Sequence, residues 1–125
     1  RSLLYSTAAP AALCSAAKSS LDLVEKSDDE RQKLNANIEF FKTLAGEQGL
    51  ELKDSDTPIQ PLVLGDETRT MRISEQLFDM GIFVQGIRPP TVKAGTSRLR
   101  ITLSSVHTQS QISNLVTKLI ECGAT

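Results

Sequence analysis

Apolar residues recur every three or four positions in four stretches of the chain, which predicts four amphipathic helices. Each stretch has start and stop signals, such as proline in the first turn, a Ser, Thr or Asp cap, and a closing glycine. The expected helices run from Pro10 to Val24, from Ser27 to Gly49, from Asp66 to Gly81 and from Thr108 to Gly123. In the last of them Thr108 and Gln111 have the T-x-x-Q spacing of a capping box.

A two-residue alternation between Arg98 and Ser104 predicts a strand with one buried face. Two further short strands are expected at residues 58–64 and 82–88, and the prolines at 58 and 61 favour an edge position for the first. This order predicts an α+β fold, with a small, mainly antiparallel sheet and helices on one face. The expected core is Leu62, Leu64, Ile82, Val84, Leu99, Ile101, Leu103, Ile112, Leu115 and Leu119.

Composition excludes several classes of function. The 125 residues carry a formal net charge of -1, so no basic field favours nucleic acid, and no apolar run is long enough for a membrane helix. One histidine and two cysteines far apart in sequence give no zinc spacing, so no metal site is expected. Unpatterned cysteines fit a reducing compartment, and we expect a cytoplasmic protein.

Arginine is the residue type that suggests a ligand. Arg88 precedes two prolines, which restrict its backbone, and Arg100 lies on the polar face of the predicted strand 98–104. A guanidinium binds carboxylates through two parallel hydrogen bonds, so an anionic ligand suits this region. The alternative is that Arg98 and Arg100 simply face water. His107 has no sequence partner for nucleophilic catalysis and is interpreted as a polar residue that ends a strand.

The opening residues 1–14 allow two interpretations. One positive charge followed by apolar and small residues resembles a secretory leader. However, Tyr5, Ser6, Thr7 and Pro10 interrupt the apolar run, and Leu13 stands where a small residue is wanted. We therefore expect a segment from inside a larger protein.

Three separated motifs, in the same order, resemble the α-oxoamine synthases, which are pyridoxal-phosphate enzymes of fold type I. These motifs are the segments 4–10 (LYSTAAP), 57–62 (TPIQPL) and 87–108, the last of which begins IRPPTV and contains AGTSRLRITLS. The resemblance spans essentially the whole chain. Small departures occur at Ala11, Lys93 and Val106, none of them at an expected functional position.

The resemblance implies that residues 1–9 end a large domain, residues 10–50 form connecting helices, and residues 51–125 form a small C-terminal α/β domain. The wording of the last motif favours the member that condenses L-alanine with a pimeloyl thioester, carried by coenzyme A or a carrier protein, in biotin biosynthesis. The family's Schiff-base lysine motif is not in this sequence. This chain alone is therefore expected to be inactive, and the intact enzyme to be a homodimer.

The resemblance also implies roles for individual residues. Arg100 matches the arginine that holds the amino-acid carboxylate, and Arg88 matches a second arginine near it. Thr91 matches a threonine at the entry for the acyl chain. Thr7, with Ser6, matches the hydroxyl that reaches the cofactor phosphate of the neighbouring subunit. No catalytic residue is expected within this chain itself.

Two other functions stay open. One is a sister enzyme of the same family, namely glycine C-acetyltransferase, serine palmitoyltransferase or 5-aminolevulinate synthase. The other is a non-enzymatic module that binds a small ligand or a partner. A lysine motif about 30 residues upstream of Arg1 would decide for the enzyme.

Overall fold

The computed structural model describes residues 9–125, and within them the element order is the predicted one. The elements are α1 (Ala11–Glu25), α2 (Asp28–Glu47), β1 (Ile59–Gly65), α3 (Glu67–Asp79), β2 (Gln85–Ile87), β3 (Ser97–Thr102) and α4 (Gln109–Glu121). The chain divides between Arg31 and Gln32 into two compact units. Within residues 9–125, no helix is both long and apolar enough to cross a bilayer.

The first unit contains α1, which begins directly after Pro10. The structure describes α1 in full, and none of its residues is buried. Its large apolar side chains, Leu13, Leu21, Leu23 and Val24, are all exposed. At the end of this unit Arg31 pairs with Asp28 at 2.6 Å and donates to the Val24 carbonyl at 2.6 Å, which ties the start of α2 to the end of α1.

The second unit is built on an antiparallel sheet of order β1-β3-β2, so β1 is an edge strand, as predicted from its prolines. Strand β2 is shorter than the predicted 82–88. The Ile82 N–H donates to the Leu77 carbonyl at 2.8 Å, and Gly81 adopts a positive φ of 78°. Residues 81 and 82 thus close the end of α3, and the chain joins the sheet only at Gln85.

The core of the second unit lies between one face of the sheet and the helices α2, α3 and α4. The predicted core residues are buried, except that Leu64, Ile82 and Leu115 are only partly buried. The second half of α2 adds Ile38, Phe41 and Ala45 to the same cluster. Residues 32–125 accordingly form one compact unit.

The caps predicted for α3 and α4 are present, whereas the Ser27 hydroxyl before α2 donates to the Leu23 carbonyl at 2.5 Å. The Asp66 carboxylate accepts a hydrogen bond from the Arg69 N–H at 2.6 Å, and Thr108 and Gln111 form the complete capping box of α4. These caps satisfy backbone N–H groups that a helix cannot pair internally. They therefore define where α3 and α4 begin.

Ser74 ties α3 to the start of β2. Its hydroxyl donates to the Val84 carbonyl at 2.6 Å and accepts from the Gly86 N–H at 3.2 Å. We expect Ser74→Ala to lower the free energy of unfolding by about 1–3 kcal/mol, because it leaves two partly buried backbone groups unpaired. Chemical denaturation measures this. Ser20→Ala, on exposed α1, should stay within about 0.5 kcal/mol of the parent, and equal effects of the two substitutions would contradict the assignment.

Candidate functional site

Arg100 lies on the central strand β3 and points away from the core. Its cross-strand partners are Pro61 on β1 and Gln85 on β2. Its sequence neighbours Leu99 and Ile101 are 0% and 2% exposed, respectively. Because side chains alternate along a strand, the burial of these two residues fixes the direction of the exposed Arg100 side chain. The strand therefore mounts a guanidinium rigidly on the open face of the sheet, as the alternation predicts.

The guanidinium of Arg100 has a neutral hydrogen-bond acceptor as its side-chain partner. Its Nη2 donates a hydrogen bond to Oε1 of Gln85, a neutral amide. Among residues 9–125 no carboxylate forms an ion pair with Arg100. An arginine with a neutral partner has spare N–H donors and an unneutralised charge, which is what a ligand carboxylate requires.

A cleft of about 540 Å³ opens where the pairing of β2 and β3 stops. It lies between residues 81–85, the end of β3 and α4. Arg100 is the one Lys, Arg, Asp or Glu side chain in the lining of this cleft, all of which falls within the described residues. The remaining lining includes the apolar residues Ile82, Val84, Ile101, Leu103, Ile112 and Leu115. A mostly apolar cleft with one cation suits a small organic anion.

The second predicted arginine is engaged elsewhere. Arg88 Nη1 pairs with Glu67 Oε1 at 2.7 Å, at the start of α3. Gly86, which lies between Gln85 and Ile87 on β2, faces α3, since a Cβ there would lie 2.9 Å from the Met71 sulfur. Arg88 and Arg100 therefore have different protein partners, Glu67 and Gln85.

The other predicted residues have these positions. Thr91 is exposed, and its N–H donates to the Arg88 carbonyl at 3.0 Å, which closes a turn over the two prolines. Arg98 is half-buried, and its Nε donates to the Thr96 carbonyl at 3.0 Å. Ser6 and Thr7 lie outside the described residues.

His107 lines the cleft, although the sequence suggests only a polar residue at a strand end. Its Nδ1 accepts a hydrogen bond from the Ser104 N–H at 3.2 Å. Neutral His107 therefore carries its proton on Nε2.

Gln85 is a site residue that the sequence pattern does not indicate, because the register of β2 against β3 places it opposite Arg100. Cys122 is not a candidate nucleophile, because burial and then the Glu121 carboxylate raise the pKa of its thiol.

The fold and the sequence place this chain in a known family. Residues 1–119 match the family model for aminotransferase class I and II, and the chain belongs to that family. The resemblance to pyridoxal-phosphate enzymes of fold type I is thereby confirmed.

Among curated relatives, the 8-amino-7-oxononanoate synthase of Thioalkalivibrio sulfidiphilus is 44% identical over 95% of this chain and 30% of its own length. The solved 8-amino-7-oxononanoate synthase of Francisella tularensis is 31% identical with a TM-score of 0.81, over 94% of this chain and 34% of that one. A solved SPT with PLP is 27% identical with a TM-score of 0.69, over 74% of this chain and 24% of that one. The chain thus spans between about a quarter and a third of the length of these relatives.

Proposed function

We propose that this chain is the C-terminal part of an 8-amino-7-oxononanoate synthase. In that role it contributes to a pyridoxal-phosphate-dependent acyltransferase of biotin biosynthesis. The enzyme joins L-alanine to a pimeloyl thioester with loss of carbon dioxide. The observation that carries the proposal is that Arg100, which no carboxylate of residues 9–125 pairs with, lines the cleft in a chain 44% identical to an enzyme of that name.

Arg100 binds the carboxylate of L-alanine in this proposal. The planar guanidinium can donate two N–H groups to a carboxylate while a third N–H donates to the Gln85 amide oxygen. Such a contact orients the amino acid as well as holding it, because both carboxylate oxygens are fixed. The rigid strand beneath it keeps the orientation constant.

The described residues fit the substrate side of a cofactor site. When bound, pyridoxal phosphate supplies an electron sink for charge that develops on the amino acid. The lining of the cleft offers a cation for a carboxylate and, within the described residues, no lysine. Ser6 and Thr7 are proposed to contact the cofactor phosphate in the neighbouring subunit, so that the active site is shared in a homodimer.

Arg88 and Thr91 have secondary roles in the proposal. Arg88 would contribute a second contact to the carboxylate region, and to do so its side chain must leave Glu67, since the two are paired at 2.7 Å. Thr91 would lie at the entry for the acyl chain, and its exposed position leaves it accessible to a long substrate.

Serine palmitoyltransferase is the second candidate, because a structure named SPT with PLP shares the fold. The full-length protein separates the two. We expect L-alanine with a pimeloyl thioester to give 8-amino-7-oxononanoate. The expected kcat/KM is about 10-fold or more above that for L-serine with a palmitoyl thioester, because small substrate differences discriminate by roughly that factor or more. A preference for L-serine and the palmitoyl thioester would overturn the assignment.

A further inference from the structure

We infer that Gln85 is a positioning residue that orients Arg100 for the substrate carboxylate without neutralising it. The inference rests on the proposed function, in which Arg100 binds the carboxylate of L-alanine. It assigns to Gln85 a role that is exerted through Arg100.

The register of the sheet brings Gln85 and Arg100 together. Gln85 and Arg100 are a directly opposed pair on the antiparallel strands β2 and β3. Opposed side chains lie on the same face and within reach of each other, and here the Gln85 amide oxygen accepts from Arg100 Nη2. Pro61, the opposed residue on the other side, offers no polar side-chain atom. Gln85 is therefore the opposed side chain that can fix the rotation of the guanidinium.

The two arginines differ in the charge of their acceptors. Arg88 shows the alternative arrangement, since its acceptor is the carboxylate of Glu67 and its charge is compensated. A carboxylate opposite Arg100 would compete with the substrate carboxylate for the same guanidinium. A neutral amide supplies the same acceptor atom and leaves the positive charge to the ligand. The pairing of Arg88 with Glu67 and of Arg100 with Gln85 thus leaves Arg100 as the one of these two arginines that has no protein carboxylate to compete with the ligand.

The location of Gln85 also supports this role. Gln85 is the residue at which β2 begins, and both Gln85 and Arg100 line the cleft. Gln85 is exposed, so its side chain contributes little to the core, and its replacement is not expected to unfold the unit. A change in ligand binding is then the effect to look for.

The test uses the full-length, cofactor-loaded enzyme with Gln85→Leu and Gln85→Glu. We expect Gln85→Leu to raise the KM for L-alanine roughly 3- to 10-fold, the range for losing one hydrogen bond to a charged group. We expect kcat to change less than about twofold, because Arg100 is retained in this variant and, once L-alanine is bound, still holds both carboxylate oxygens. The calorimetric dissociation constant of L-alanine, measured without thioester, should rise by the same factor.

Gln85→Glu distinguishes a role of Gln85 in leaving the Arg100 charge uncompensated from a purely structural role. It keeps the size and the acceptor oxygen, so a purely structural role predicts parent-like values. Compensation of the Arg100 charge predicts a KM for L-alanine raised at least as far as in Gln85→Leu. Gln76→Leu, on the exposed side of α3, is the matched control and should leave both constants unchanged.

A double substitution distinguishes the two ways in which the inference can fail. In an Arg100→Ala background, Gln85→Leu should add less than about a twofold change, since its effect passes through Arg100. If Arg100→Ala itself leaves the binding of L-alanine unchanged, the proposed function of Arg100 is overturned. If Arg100→Ala weakens binding but Gln85→Leu does not, or if the two effects simply multiply, the role assigned to Gln85 is overturned.

Discussion

Replacing Arg100 by alanine in the full-length enzyme should lower kcat/KM for L-alanine about 30-fold or more. Removing one partner of a close charged pair costs ~2–5 kcal/mol, and each ~1.4 kcal/mol is a factor of ten. The guanidinium of Arg100 has no ion-pair partner among residues 9–125. The free energy lost in Arg100→Ala should therefore be mainly that of the contact with the substrate. Steady-state kinetics with a saturating pimeloyl thioester measure the effect.

Both kinetic constants are expected to change in Arg100→Ala. In the proposed reaction, the carboxylate assigned to Arg100 is the group later lost as carbon dioxide, so its orientation would matter for bond cleavage as well as for binding. We therefore expect kcat to fall along with affinity. A rise in KM at constant kcat would mean that Arg100 binds the substrate but does not orient the bond that breaks.

Two neighbouring substitutions provide the controls. Arg100→Lys should restore only part of the lost activity, because an ammonium group cannot reproduce the planar fork. Arg98→Ala should cost much less, although Arg98 lies on the same face two residues away, since its Nε is bonded to the Thr96 carbonyl. Kinetics of Arg100→Ala close to the parent would rule out the carboxylate role.

The sequence predicts the direction of Arg100 but not the arrangement around it. The alternation of Leu99, Ile101 and Leu103 with polar residues is a local signal, and it determines which face of the strand is open. Register is not local, because it depends on which residues of β2 and β1 meet β3. For this reason Gln85, the partner that leaves Arg100 charged, was not predictable.

The same contrast explains the errors in the elements. Caps such as Asp66 and Thr108 act within one helical turn, and the structure contains both. The start of β2 depends on a competition between the end of α3 and the sheet for the backbone of Ile82 and Val84. The helix end binds Ile82 through Leu77, and Ser74 binds Val84, so the strand is shorter than its apolar run suggests.

The helical periodicity of α2 likewise predicts an apolar stripe without showing what covers it. Leu34, Ile38, Phe41 and Ala45 follow the helical spacing, and the family resemblance implies only that they belong to the connecting helices. In the structure Ile38, Phe41 and Ala45 are buried in the same core as the sheet. The second half of α2 is therefore an integral part of the compact unit that carries Arg100.

Replacing Phe41 by alanine tests this packing. Phe41 is 0% exposed, and truncation of a fully buried phenylalanine costs about 3–5 kcal/mol through lost burial and the cavity left behind. Such a loss is a large part of the stability of a small domain. We expect urea unfolding to show a decrease of that size in the free energy of unfolding, with an unchanged denaturant slope. Phe83→Ala, at a side chain that is 80% exposed, should cost less than about 1.5 kcal/mol, since it loses mainly the edge contact with Phe78. A Phe41→Ala variant as stable as Phe83→Ala would show that α2 does not pack into the core.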